Sequence, residues 1–227
     1  MQFPNASLGI KKIFIANIFG VVFTFLTIPI IIAAVAFNAA ADEGALLNIN
    51  DTAITGTAIV FFICGFIITV LAVVSCILNL VGAAKASKDE PSFRSALVAV
   101  VIALVAILVS SIFSLPAISN QFISTIATSV SDIANLCFTL YIIQGICNLA
   151  KQLSNDVMAR RGITIFKIIL ASVLLKMLTQ MAAVFFVDNT TAALIFVCLR
   201  VVANLLDMVQ FIMFIVYLGK AKKMLHT

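Results

Sequence analysis

The sequence predicts an all-α protein: a polytopic transmembrane helical bundle of six spans, arranged as three hairpins with both termini on the inner side. Three observations predict it. Of the 227 residues, 63% are hydrophobic and only 10% are charged, where a soluble domain carries about 25% charge. The mean hydropathy of +1.24 leaves more apolar surface than a chain of this size hides from water. The apolar residues run on for about 20 positions or more at a time, without the alternation that a β-barrel strand requires. A soluble enzyme is excluded by this composition, and so is a disordered chain, which needs few apolar residues and many charges.

The six spans fall at 13–37, 55–84, 95–117, 124–149, 164–187 and 191–219, and the whole chain reads as a single integral membrane domain. The first follows Lys11 and Lys12, and Asn38-Ala39-Ala40-Ala41 after it has the small residues of a cleavage region. Its apolar run is far longer than the about 7–15 residues of a signal core, so a retained anchor is expected. Pro29 inside it removes a backbone hydrogen bond and favours a kink. The second span closes on Leu80-Val81-Gly82-Ala83-Ala84-Lys85. The segment from Lys85 to Arg94 then reads as a tight turn, with Pro91 suited to start a helix. Asp89 and Glu90 are suited to that same helix N-terminus.

The third span carries Ala96, Ala99, Ala103, Ala106, Ser110 and Ser114 at steps of three or four, hence on one face. Small residues let helix backbones approach closely in lipid. This face is expected to pack tightly, and Ala96, Ala99, Ala103 and Ala106 also offer a surface to a membrane partner. The fourth span collects Gln121, Thr125, Thr128, Asp132, Asn135 and Thr139 on one face. A polar stripe is unfavourable against lipid, so it is expected to point inward. The fifth span adds Ser172, Lys176 and Gln180, and the sixth adds Arg200, Asn204, Asp207 and Gln210.

Charge placement sets the expected orientation. Lys11, Lys12, Lys85, Lys88, Arg94, Lys151, Arg160, Arg161, Lys167, Lys220, Lys222 and Lys223 all lie on one set of connections and span ends. The alternate set (38–54, 118–123 and 188–190) holds no Lys or Arg, but Asp42, Glu43, Asp51 and Asp188. The positive-inside rule then puts both termini in the cytoplasm. A multi-pass protein of the plasma (cytoplasmic) membrane is expected, with the lipid bilayer as its first partner and no nucleic acid.

Neither long connection, 38–54 or 151–163, can bury a core of its own. No phosphate-binding G-x-x-x-x-G-K-[ST] and no G-x-G-x-x-G is present, so no nucleotide drives this chain directly. Cys64, Cys76, Cys137, Cys147 and Cys198 all fall inside apolar runs, and the one histidine is His226. Without clustered thiolates or imidazoles no metal or other cofactor is expected; these cysteines read as small buried hydrophobes. A rhomboid-like protease needs a G-x-S-x-G and a deep histidine, and an aspartyl membrane protease needs paired motifs that Ser131-Asp132 and Leu206-Asp207 do not provide. The chain is therefore expected not to be an enzyme.

Four charges remain inside the spans: Asp132, Lys176, Arg200 and Asp207. At about 1.5 Å per residue from the outer ends, the first three lie about 12, 16 and 14 Å deep, and Asp207 about 24 Å. Each central charge costs about 2.5–3.5 kcal/mol on the insertion scale, so pairing or solvation is expected. The candidate binding or ion-path residues are Asp132, Asn135, Thr128, Lys176, Arg200, Asn204 and Asp207. Two readings follow. In the leading one, this cluster binds or passes a small polar solute or a proton. In the alternative, the chain is a non-catalytic accessory, assembly or immunity-type membrane protein, and the charges are ion pairs that hold the last three spans in register.

Overall fold

The computed structural model describes the backbone of residues 3–42, 51–114, 120–185 and 190–226. Side chains are described over 3–22, 25, 63–114, 120, 122–175, 202, 206 and 208–226. Among these residues the chain is all-helical, with six helices and no strand: α1 (Pro4–Asp42), α2 (Asp51–Ala86), α3 (Ser92–Phe113), α4 (Gln121–Gln152), α5 (Asp156–Phe185) and α6 (Thr190–His226). Four stretches of the described residues are long and apolar enough to cross a membrane: Pro4–Val22, Ile63–Ala86, Ser92–Phe113 and Phe122–Gln152. That is compatible with an integral membrane protein. The expected fifth and sixth spans run through 176–201, whose side chains lie outside the described residues, as do those of Pro29 and Cys198.

The helices outrun the apolar stretches that announce them. α1 begins at Pro4 rather than 13, and α6 continues to His226 rather than 219. The expected connection 151–163 shrinks to Leu153-Ser154-Asn155, because α5 begins at Asp156. Hydropathy marks the part of a helix that suits lipid. It passes over the Arg and Lys residues at the ends, which are good helix formers in their own right.

The chain divides into two compact units, Met1–Lys11 with Gly82–Thr227, and Lys12–Val81. In the larger unit α3 and α4 form the most extensive contact, followed by α5 with α6 and α4 with α5. The buried face of α3 is Phe93, Ala96, Ala99, Val100, Ala103 and Ala106. The alanine face expected from the sequence is thus buried inside this chain. Opposite, α4 buries Ala127, Ser131, Ala134 and Phe138. Phe93, fully buried, lies over Gly145 of α4.

Small residues also set the start of α1. A Cβ on Gly9 would overlap the Gly82 carbonyl oxygen and stand 2.8 Å from Ala86. The two backbones can approach this closely only because Gly9 has no side chain. In the smaller unit α1 buries Ile13 and Ala16, and the Ser75 hydroxyl donates to the Ala16 carbonyl at 3.2 Å. The outward side chains of α2 there, including Ile63, Phe66 and Ile77, are exposed, as the lipid side of a membrane helix is.

The turn between α2 and α3 departs from expectation in an informative way. Asp89 does not serve the N-terminus of α3. Its carboxylate accepts from the Ala6 backbone N–H at 2.7 Å and from Asn5 Nδ2 at 2.9 Å, so it caps α1. The first N–H groups of a helix have no partner within it, and a carboxylate there gains both a hydrogen bond and the favourable end of the helix dipole. α3 starts after Pro91 with no side-chain cap at all.

The α4–α5 turn closes α4 with paired hydrogen bonds: Asn155 N–H to the Ala150 carbonyl at 2.8 Å and Ser154 N–H to the Lys151 carbonyl at 3.0 Å. This is the Schellman arrangement, which places the intervening residue in the left-handed region. Ser154 occupies it with φ 54°. Asn155 then caps α5 through its side-chain oxygen, 3.1 Å from the Met158 N–H.

Two stability predictions follow from these turns. Ser154→Gly removes the Cβ penalty of a left-handed residue and is expected to stabilise the protein by about 0.5–1 kcal/mol, read as a higher midpoint in denaturant titration in detergent. Asp89→Ala strips the cap from α1 and is expected to cost about 1–2 kcal/mol; a midpoint equal to wild type would mean that water serves Ala6 as well as Asp89 does.

Candidate functional site

The described polar groups of α4 split into two sets. The hydroxyls are satisfied locally. Thr128 Oγ1 donates to the Ser124 carbonyl at 2.9 Å, Ser129 to the Thr125 carbonyl at 3.0 Å, and Thr139 to the Asn135 carbonyl at 3.1 Å. Such bonds to the carbonyl one turn back let a hydroxyl sit in a membrane helix without an external partner. Thr128 and Ser124 also reach across to α3, where Ser110 Oγ stands 2.9 Å from the first and 3.2 Å from the second. The Ser110–Ser124–Thr128 ladder ties α3 to α4 near the ends of both helices remote from the Asp89 turn.

Asp132 belongs to the other set. It lies about 16 Å along α4 from Gln121, within Phe122–Gln152, a stretch long and apolar enough to cross a membrane. It is exposed, and no hydrogen bond or ion pair joins it to any described residue. Asn135, one turn on, is also exposed, with its Nδ2 3.5 Å from the Ser131 hydroxyl. The expected inward orientation of the stripe is therefore not what the chain adopts. Thr125, Thr128, Asp132 and Asn135 are exposed, and the helix buries its Ala127, Ser131, Ala134 and Phe138 face instead. Three of these four, Ala127, Ser131 and Ala134, are small, and small side chains let a neighbouring helix approach closely.

Of the candidate residues, the structure brings together Thr128 with Ser110 and Ser124, and Asn135 with Ser131. The side chains of Lys176, Arg200, Asn204 and Asp207 lie outside the described residues.

Two constellations were not anticipated from the sequence. The first is a buried carboxylate. Glu90, 5% exposed, accepts from Asn148 Nδ2 at 2.8 Å and from the Ser92 hydroxyl at 3.0 Å. These neutral donors tie the α2–α3 turn to the last turns of α4. The second surrounds Tyr217 of α6, which is 2% exposed. Its hydroxyl stands 3.4 Å from Cys147 Sγ of α4, and that thiol lies 3.6 Å from the Ala159 carbonyl of α5. A Cβ on Gly162 of α5 would overlap both Cys147 Sγ and the Tyr217 hydroxyl. Three helices thus converge on one glycine. The only sequence signal was a tyrosine near a span end, which reads equally well as an interfacial anchor. Among the described residues no group of three or more His, Cys, Asp or Glu is arranged to hold a metal.

Compared with protein-family models, with curated proteins and with solved structures, the chain matches none of them.

Gly162→Ala forces a methyl group into the Tyr217–Cys147 contact. It is expected to lower stability by about 1–3 kcal/mol, the usual cost of overpacking a filled site. Gly162→Ala combined with Tyr217→Phe, which removes the overlapping hydroxyl, should recover part of that loss. Thermal unfolding of the two purified variants checks both statements.

Proposed function

We propose that this chain is a non-enzymatic, multi-pass protein of the plasma membrane whose intramembrane polar site, centred on Asp132, binds or passes a small polar solute or a proton. The observation that carries the reading is the state of Asp132: a carboxylate inside a membrane-crossing stretch, exposed and held by no described residue. A charge at such a depth costs about 2.5–3.5 kcal/mol against hydrocarbon, so it needs water, a counter-charge or a bound ligand. Thr128 and Asn135 stand one turn to either side and add hydrogen-bonding capacity to the same face. Lys176 and Arg200 fall at nearly the same depth by residue count, and Asn204 and Asp207 extend that set along the sixth span. A carboxylate flanked by such groups takes up and releases a proton, or accepts from the N–H and O–H groups of a solute.

The orientation belongs to the same proposal. The charge asymmetry of the connections supports six spans with both termini in the cytoplasm.

The exposure of Asp132 also favours a second reading. A helix of another membrane protein that brings a base to Asp132 would cover the same face, and the chain would then be an accessory, assembly or immunity-type subunit working through intramembrane ion pairs.

Asp132→Asn separates the two. If the site binds a solute or proton, the variant keeps its abundance in the membrane and loses at least about tenfold in proton uptake by proteoliposomes, or in the thermal shift caused by an active compound from a metabolite panel. If the variant instead disappears from the membrane, while Asp132→Glu stays, the carboxylate is serving assembly and the transport reading fails.

A further inference from the structure

The larger unit has an open groove of about 490 Å³ between α5 and α6, at the end where α4 closes and α5 opens. Its chemistry changes along its length. At one end stand Arg160, Arg161 and Lys220; towards the helix middles it is walled by Ile212, Met213 and Val216. Lys220 and Ile212 are eight residues apart on α6, which separates the basic and apolar ends by about 12 Å. Tyr217 and Ile165, both buried, form a filled floor, so a guest lies along the groove rather than penetrating the bundle.

We propose that this groove seats one anionic glycerophospholipid, its head-group phosphate against Arg160, Arg161 and Lys220 and an acyl chain along Ile212, Met213 and Val216. The three cations are exposed, and no described carboxylate pairs with any of them. The nearest acid in sequence, Asp156, is the first residue of α5, where it faces the positive end of its own helix dipole. Basic pockets between membrane helices near a surface bind acidic lipid head groups by this charge complementarity. Long Arg and Lys stems lie on apolar surface while their heads reach the interface. Ile212 and Val216 are each about half exposed, at 51% and 50%. An acyl chain covers such a wall, and a free phosphate leaves it bare. The occupant is therefore a lipid rather than a soluble anion. The inference rests on the chain lying in a bilayer, and does not depend on what Asp132 does.

The test uses the full chain in detergent, supplemented with phosphatidylglycerol, phosphatidylcholine or glycerol 3-phosphate. Retained lipid is counted by native mass spectrometry and stability is followed by thermal unfolding. Phosphatidylglycerol is expected to be retained at least about tenfold over phosphatidylcholine and to raise Tm by several degrees, while glycerol 3-phosphate does neither. Arg160→Gln with Arg161→Gln and Lys220→Gln should abolish the preference. Val216→Trp keeps every charge but fills the apolar wall, and should abolish retention as well. Equal retention of the two lipids, or a preference that survives Val216→Trp, would overturn the proposal, since the first removes the charge match and the second leaves only general surface attraction. A Tm rise with glycerol 3-phosphate equal to that with lipid would overturn it in favour of a soluble anion. Carbonate extraction of each variant from cell membranes runs alongside. A wild type that washes off defeats the bilayer premise, whereas variants that stay embedded yet lose the lipid preference establish the groove.

Discussion

The close approach of helix backbones at small side chains is the contact on which the rest of this structure depends. In lipid, burying an apolar side chain between helices gains little over leaving it against acyl chains, so association rests on packing and on hydrogen bonds. The chain meets that condition in three places in its larger unit. Ala96, Ala99, Ala103 and Ala106 bring α3 onto α4. Gly9 lies against the Gly82 carbonyl and Ala86. Gly162 lies under Tyr217 and Cys147. At both glycines a side chain or a backbone atom stands where a Cβ would be. The long exposed residues, such as Leu108, Phe122 and Met208, are then free to vary with the solvent they face.

The acidic turn after α2 shows how a few polar residues lock these contacts at one end. Asp89 and Glu90 are neighbours in sequence but serve different helices. Asp89 reaches α1 through Ala6 and Asn5, and Glu90 reaches α4 through Asn148. The turn therefore fixes the start of α1 and the close of α4 relative to α3. A hydrogen bond to a charged group contributes more than one between neutral groups, and the bonds that this turn makes to α1 and α4 all end on carboxylates. The opposite end of α3 and α4 is held by neutral hydroxyls, Ser110 with Ser124 and Thr128.

The sequence makes the helical class legible because composition and apolar run length depend on solvent alone. The alanine face of α3 was legible too, since its spacing needs only the 3.6-residue period. The boundaries were less so. Arg160 and Arg161 marked a connection by charge, yet they belong to α5, because helix formation by Arg and Lys does not require lipid. Asp89 was assigned to the wrong helix because an acidic residue before a helix start is a local signal, whereas its real partner, Ala6, lies 83 residues away. Glu90–Asn148 and the Gly162–Tyr217 contact were illegible for the same reason: long-range pairing has no period. The polar stripe of α4 was found, but its direction was not, because the argument that polar faces turn inward ignores which face can be approached most closely.

That last point bears on how the stripe is weighed. A hydroxyl in a helix carries its own acceptor with it, the carbonyl one turn back, and Thr128, Ser129 and Thr139 all use it. Such residues are at home on a buried or an exposed face alike, so a run of serines and threonines says little about orientation or ligand. A carboxylate has no such recourse. It accepts only, and every backbone N–H in the interior of a helix is already engaged. Asp132 thus obliges something outside its own helix to meet it. On the proposed reading, what meets it is water, a base or a guest, and the hydroxyls around it only shape the approach.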